Sequence, residues 1–271
     1  MPELPEVETT RRGITPHILG QAVAQVVIRQ PQLRWPVPMT IAEILPGERL
    51  CRLERRGKYL LLTFAPGTLI LHLGMSGSLR ILGPDTPTQK HDHFDLLFHN
   101  GKLLRLRDPR RFGAVLWTED DPFAHPLLET LGPEPLDPGF DGAYLLGQAR
   151  TRRVAVKNLI MDSRVVVGVG NIYANEALFH AGIHPNRACN RIAQARYIRL
   201  ADAIKQVLTE AIKQGGTTLR DFQQEDGRPG YFAQQLQVYG KAGAPCPSCD
   251  TPIRLQVIGQ RSTFFCKRCQ R

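Results

Sequence analysis

The chain opens Met1-Pro-Glu-Leu-Pro-Glu-Val-Glu8, and this stretch holds its most reactive possibility. If Met1 is removed, Pro2 becomes an N-terminal secondary amine with two carboxylates, Glu3 and Glu6, close in sequence. Such an amine attacks a sugar C1′ or a carbonyl and forms an iminium, the Schiff-base route to covalent catalysis. An N-terminal amine titrates near pH ~8, so part of it is uncharged at neutral pH, whereas a lysine starts roughly two units higher. With Met1 in place the Pro2 nitrogen is an amide and this chemistry is closed. The same residues also read as a helix start. Pro5 suits the first turn, and Glu6 and Glu8 suit the positive end of the macrodipole. Val7, Ile14, Ile18 and Leu19 form an apolar stripe that Gly13 and Pro16 weaken. The two readings are compatible, because a helix N-terminus is a good place to hold a reactive group.

A second constellation lies at the other end. Cys246-x2-Cys249 and Cys266-x2-Cys269 are separated by 16 residues, which fits a four-thiolate zinc site. Four cysteines leave no open position, so one structural zinc is expected. Pro252–Ile258 and Arg261–Phe265 read as a hairpin turning at Gly259-Gln260, with Arg261 as an exposed tip. Six Lys and Arg (Lys241, Arg254, Arg261, Lys267, Arg268, Arg271) against one acid, Asp250, point this module at phosphate. Cys51 and Cys189 fall outside the scheme and read as small buried hydrophobes.

Other groups are individually ambiguous. Gly168-Val-Gly-Asn171 introduces a helix whose first N–H groups suit a phosphate; Asn171 reads equally as a simple N-cap. Asp108-Pro-Arg-Arg-Phe-Gly113 is a turn in which Phe112 could wedge between bases while Arg111 bonds an orphaned base. It reads equally as a surface turn with Asp108 paired to an arginine. His72-Leu-Gly-Met75 follows an apolar strand, and Lys58 sits in a basic turn; both have ordinary structural readings.

The elements that must position these groups change character along the chain. Residues 21–117 carry short β-rich runs: Val23–Ile28, Tyr59–Phe64, Thr68–Leu73, Phe94–Phe98, Lys102–Arg107 and Ala114–Trp117. They predict a β-sandwich or barrel capped by the N-terminal helix. Residues 132–142, with three prolines and three glycines, read as a linker. Helices follow over 152–161, 171–181 and 192–214, the last ended by Gly215-Gly216. Thr217–Gly230 reads as a polar loop. The chain is therefore expected to be α+β, with a domain over 1–131, the linker, a helical domain over 143–235 and a zinc finger over 236–271.

Charge divides the same way. Residues 1–149 carry 16 Lys and Arg against 17 Asp and Glu; residues 150–271 carry 19 against 8, within an overall net charge of +10. A near-neutral half joined to a strongly basic half favours a polyanion partner. No secretory signal is evident, and no run approaches the roughly 18 apolar residues of a membrane span. A soluble intracellular chain is expected, in which clustered cysteines favour metal over disulfide.

Taken in order, these pieces make the chain resemble the formamidopyrimidine-DNA glycosylase family. They are Pro-Glu-Leu-Pro-Glu-Val-Glu at 2–8, Gly-Lys-Tyr at 57–59, His-Leu-Gly-Met-Ser-Gly at 72–77, Asp-Pro-Arg-Arg-Phe-Gly at 108–113, Val-Gly-Val-Gly-Asn-Ile-Tyr at 167–173 and the cysteine pairs at 246–269. The resemblance implies a β-sandwich domain, a helix–two-turn–helix domain with a zinc finger, and DNA in the cleft between them. It implies a bifunctional glycosylase and abasic-site lyase of base excision repair, acting on 8-oxoguanine opposite cytosine and on formamidopyrimidines by β,δ-elimination. Pro2 would be the nucleophile, Glu3 would handle protons at the sugar and Glu6 would support the acid–base steps. Lys58, His72, Asn171 and Arg261 would grip phosphates, with Lys58 and Arg261 counted in the catalytic set as well. Met75, Arg111 and Phe112 would fill the gap left by the flipped nucleotide. His91 and Lys157 would also contact DNA, and Thr217–Tyr231 would fold over the extruded base. A monomer in the bacterial cytoplasm is the matching expectation.

Two alternatives stay open. An endonuclease VIII-type enzyme shares the proline chemistry but prefers oxidised pyrimidines. A non-enzymatic zinc-dependent DNA-binding protein would use residues 1–8 as a helix cap only.

Overall fold

The computed structural model describes residues 2–217 and 235–271. Met1 and all of the expected Thr217–Tyr231 loop beyond Thr217 lie outside the described residues. The chain divides into two units: Met1–Glu129 with Gln214–Ala233, and Thr130–Lys213 with Gln234–Arg271.

In the first unit the alternating apolar runs pair into two antiparallel four-stranded sheets. The strands are β1 (Val23–Ile28), β2 (Arg52–Arg56), β3 (Tyr59–Phe64), β4 (Gly67–His72), β5 (Ser78–Leu82), β6 (Asp92–Phe98), β7 (Leu103–Arg107) and β8 (Ala114–Thr118). One sheet has the order β1-β6-β7-β5 and the other β2-β3-β4-β8. Register places Leu60 opposite Leu71 and Leu62 opposite Leu69. These residues share one buried cluster with Phe94, Leu96, Phe98, Leu104 and Leu106 of the other sheet. Burying each such side chain contributes roughly 1.5–3 kcal/mol. Helix α1 (Leu4–Ile18) adds Val7, Ile14 and Ile18 to that cluster, so its apolar stripe survives Gly13 and carries Pro16 in the last turn. Short α2 (Ile41–Ile44) contributes Ile41 to the same core, and α3 (Pro126–Glu129) ends the first run of this unit.

The second unit holds α4 (Gly142–Ala149), α5 (Val156–Met161), α6 (Asn171–His180), α7 (Gln194–Lys213) and a hairpin of β9 (Arg254–Ile258) and β10 (Arg261–Phe265). On α7 the apolar stripe Leu200, Ile204, Val207, Leu208 and Ala211 is buried. The expected linker over 132–142 is packed into this unit: Phe140 is fully buried, and Gly132 N–H donates to Ser163 O at 2.8 Å. The first run of the first unit ends at Glu129, and the second unit begins at Thr130. Cys189 is buried as expected, but Cys51 is exposed, with its thiol donating to Arg49 O at 3.3 Å. Among the described residues, no helix is long and apolar enough to cross a membrane.

Candidate functional site

Pro2 is buried immediately before the N-cap of α1, and Glu3 occupies the cap with extended backbone. Glu3 and Glu6 form a reciprocal capping box. The Glu3 side chain accepts from the Glu6 N–H, and Glu6 Oε2 accepts from the Glu3 N–H at 2.8 Å. The other oxygen, Glu6 Oε1, accepts from Thr217 N–H at 2.8 Å. Both Glu6 oxygens thus hold backbone, which is the geometry of a positioning residue. Helix formation and the placing of Pro2 are here one arrangement.

Glu8, two residues on, organises the next part of the site. Its carboxylate accepts from Arg11 Nη2 (2.8 Å), Arg12 Nε (2.8 Å) and Arg55 Nε (3.1 Å). Arg55 Nη1 in turn donates to Gly57 O at 3.0 Å, in the two-residue turn Gly57-Lys58 between β2 and β3. The helix that begins beside Pro2 is therefore tied to the turn that carries Lys58. Burial alone would raise the Glu8 pKa, but the bonds from Arg11 and Arg12 and the charges of Arg11 and Arg55 win and lower it to about 2. A lowered folded-state pKa means stability that is present above the ordinary carboxylate value and lost as pH falls from about 4.5 towards 2. Glu8→Gln should lower the urea-unfolding free energy by about 2–3 kcal/mol near neutral pH. The gap from wild type should close through that acid window; a gap that stays constant down to pH ~3 would show the charge to be irrelevant.

One end of this unit gathers most of the remaining predicted residues. His72 ends β4 opposite Tyr59, with ring centroids 4.7 Å apart, so it lies beside the Lys58 turn. Its Nδ1 accepts from Gly74 N–H at 2.9 Å, which leaves the proton of the neutral ring on Nε2. Burial, followed by the charges of Lys58 and Arg34, lowers its pKa to about 4. A phosphate would therefore meet a neutral N–H donor. Gly74, at φ +63°, lets the Met75 turn lie backbone to backbone on the next turn. A Cβ there would sit 2.4 Å from the Phe112 carbonyl carbon. That next turn is built on Asp108, which is fully buried and, among the described residues, pairs with no arginine side chain. Its oxygens accept from Ser76 Oγ (2.7 Å), Arg110 N–H (3.3 Å) and Gly113 N–H (2.7 Å). The result is an outward-turned tip: Arg111 at φ +55°, Phe112 43% exposed and the Arg110 guanidinium 5.0 Å from the Phe112 ring. His91, at φ +77°, accepts at its carbonyl from Asp108 N–H and feels the charges of Arg107 and Arg111. Lys58, His72, Met75, His91, Arg111 and Phe112 thus belong to connected turns.

The second unit gathers the others around β10. Asn171 is the first residue of α6, while the N-cap is Gly170, so the simple capping reading fails. Its Nδ2 donates to Ser262 O at 3.1 Å. Lys157 Nζ donates to the same carbonyl at 3.1 Å and to Thr263 Oγ1 at 2.6 Å. Lys157 is 0% exposed, so its ammonium is enclosed against β10. An ammonium bonded in this way seats the hairpin. Arg261, the neighbour of the doubly held carbonyl, is exposed just after the Gly259-Gln260 turn. Asn175 Oδ1 accepts from Phe264 N–H at 2.7 Å, and buried Glu176 accepts from the N–H groups of Gln237, Val238 and Tyr239 at 2.8–3.0 Å. One face of α6 therefore locates the whole C-terminal module. The sequence offered no sign of this use of Glu176.

In that module Cys246, Cys249, Cys266 and Cys269 place four sulfurs within 4.8 Å of one another. Neighbouring Sγ atoms lie 3.4–3.8 Å apart. A tetrahedron with Zn–S bonds of ~2.3 Å has edges of roughly 3.8 Å, so the donor set fits zinc in number, type and spacing.

Comparison with known proteins follows the same division. The family model of the formamidopyrimidine-DNA glycosylase N-terminal domain matches residues 1–115, that of the formamidopyrimidine-DNA glycosylase H2TH domain matches 131–223, and that of the zinc finger found in FPG and IleRS matches 243–271. A formamidopyrimidine-DNA glycosylase of Nitrosococcus oceani is 58% identical over 270 residues, covering 100% of both chains. The crystal structure of the MutM (Fpg) protein from Thermus thermophilus superposes with a TM-score of 0.89 at 40% identity, covering 99% of this chain and 98% of that one. Wild-type Lactococcus lactis Fpg (MutM), in complex with DNA containing N7-benzyl-Fapy-dG, gives 0.92 at 34% identity over 100% of both. With the zinc-finger match, the four-thiolate centre is a site for one structural zinc ion.

Proposed function

The chain belongs to the formamidopyrimidine-DNA glycosylase family and is a DNA glycosylase of base excision repair; from that premise we propose that it removes oxidised purines from duplex DNA through the amine of Pro2. The observation that carries this reading is the start of α1, where buried Pro2 adjoins Glu3 and Glu6 in a reciprocal cap.

The damaged base is stacked and must first be extruded, at a cost of a few kcal/mol that is least for a damaged base. Met75, Arg111 and Phe112 enter the vacated space, and the exposed Arg111-Phe112 tip suits that use. Lys58, the neutral His72, His91, Asn171 and Arg261 hold phosphates. The Pro2 nitrogen then attacks C1′, the C1′–base bond breaks and its electron pair leaves with the base. Glu3 delivers a proton to the sugar ring oxygen as the ring opens, giving an iminium between Pro2 and C1′. The iminium acidifies the C2′ proton, so removing it expels the 3′ phosphate. Loss of a further proton expels the 5′ phosphate. An activated water would cut only the glycosidic bond, whereas the amine links both activities. Zinc takes no step in this sequence and acts by folding the module that presents Arg261. The natural setting is the bacterial cytoplasm, on chromosomal DNA.

Borohydride trapping on two duplexes tests the reading, one with 8-oxoguanine opposite cytosine and one with thymine glycol. A covalent adduct mainly with the first is expected. An adduct mainly with the second would assign the chain to oxidised pyrimidines, and none with either, once Met1 is known to be absent, would remove the Pro2 chemistry.

A further inference from the structure

The loop between β1 and α2 plays no part in the site described so far. It is closed by a bridge between Gln32 and Pro36 and by Val37 N–H donating to Pro31 O at 2.8 Å. Leu33 and Val37 turn into the core, while Arg34 is exposed. Three observations place Arg34 at the gathered turns. Its N–H donates to Gly113 O at 3.1 Å, directly behind the Arg111-Phe112 tip. Its guanidinium lies 4.5 Å from the Trp35 ring centroid. Its charge is felt by both Tyr59, next to Lys58, and His72, the cross-strand partner of Tyr59. Among the described residues no carboxylate pairs with it.

An exposed arginine normally samples many rotamers. An aromatic shelf restricts them and leaves the edge of the guanidinium fork open to an oxyanion, which suits bidentate recognition of phosphate. The shelf is fixed in turn, because the loop backbone is bonded to the Asp108-built turn. We propose that Arg34, supported by Trp35, is a DNA phosphate-binding residue adjoining Lys58 and His72. This rests on the reading of the first unit as a DNA-binding surface. It predicts that the backbone contact extends beyond Lys58 and His72 onto the 30–37 loop.

The test is the salt dependence of binding by the full chain to a duplex with a tetrahydrofuran abasic site, which cannot be processed. Arg34→Ala and Arg34→Gln should each weaken binding about 5- to 10-fold near 100 mM salt and reduce the slope of log K against log salt by about 0.9, the loss of one phosphate contact. Lys102→Ala, at the opposite end of β7, should leave both unchanged. Arg34→Lys should keep the slope, since it keeps the charge, and lose part of the affinity. Slopes for Arg34→Ala and Arg34→Gln equal to wild type would overturn the inference, whatever their thermal stability. If wild type itself shows no salt-dependent binding, the underlying DNA reading fails, and the inference falls with it.

Discussion

Protein that keeps Met1 forms no borohydride-trappable adduct with an 8-oxoguanine duplex, and its kcat/KM falls by at least about 10⁴-fold. The nitrogen of Pro2 is then a tertiary amide, with no lone pair to give to C1′. Every other group stays where it is, since the capping box of Glu3 and Glu6 is made by atoms downstream of that bond. Binding to a tetrahydrofuran duplex should therefore stay within about threefold of the processed protein. Pro2→Gly provides a graded companion. It keeps an amine but loses the ring that fixes its direction, so a loss of about 10- to 100-fold is expected. Mass spectrometry of the N-terminus, paired with single-turnover kinetics, makes the comparison. Full activity in a preparation shown to retain Met1 would end the assignment of Pro2 as nucleophile.

Cys249→Ser should remove zinc and weaken duplex binding by more than about 100-fold, while leaving the first unit folded. The second core around the metal is small: Phe179, Val238, Cys246, Ile253 and Cys266, with Cys249, Phe264 and Cys269 packed against it. Structural zinc supplies on the order of 10–16 kcal/mol in modules of this kind, which no rearrangement of so few side chains replaces. Without metal the β9–β10 hairpin loosens, and Arg261 loses the setting given by Asn171 and Lys157 on its neighbour Ser262. Hydrogen exchange should show lost protection across 254–265, with the strands of the first unit unaffected. Zinc retained at one equivalent with unchanged affinity would refute the four-thiolate reading.

Legibility in the sequence followed the range of the interactions. The zinc hairpin was largely readable, with only the start of β9 moved from Pro252 to Arg254, because cysteine spacing, flanking apolar runs and the Gly259-Gln260 turn are all local. Strands with clear β-branched or aromatic runs, such as β1 and β3, matched their expected bounds. Two edge strands, β2 and β5, gave no readable pattern. In β2 (Arg-Leu-Glu-Arg-Arg) only Leu53 points into the core, and Arg55 is held through Glu8, 47 residues away. Helix α4 was missed because Gly142 and Gly147 lower its propensity, and its Asp141 cap lies in what read as a linker. The motif residues of the first unit were nameable, but Asp108 as the keystone of the turn was not, since it needs Ser76, 32 residues earlier. The part Lys157 plays in seating β10 was hidden for the same reason, since its partner Ser262 lies 105 residues on.

The two bonds to Glu6 limit which side chain can serve at that position. Each carboxylate oxygen faces a backbone N–H, from Glu3 on one side and Thr217 on the other. Glutamine keeps the length but must turn an NH2 group towards one of those N–H donors, donor against donor. Aspartate keeps both acceptors but is one methylene short of reaching two chain segments at once. Neither of the two nearest side chains therefore reproduces the pair of bonds. Glutamate at this position answers to the fit of two hydrogen bonds, independently of any part that its charge plays in the chemistry beside it.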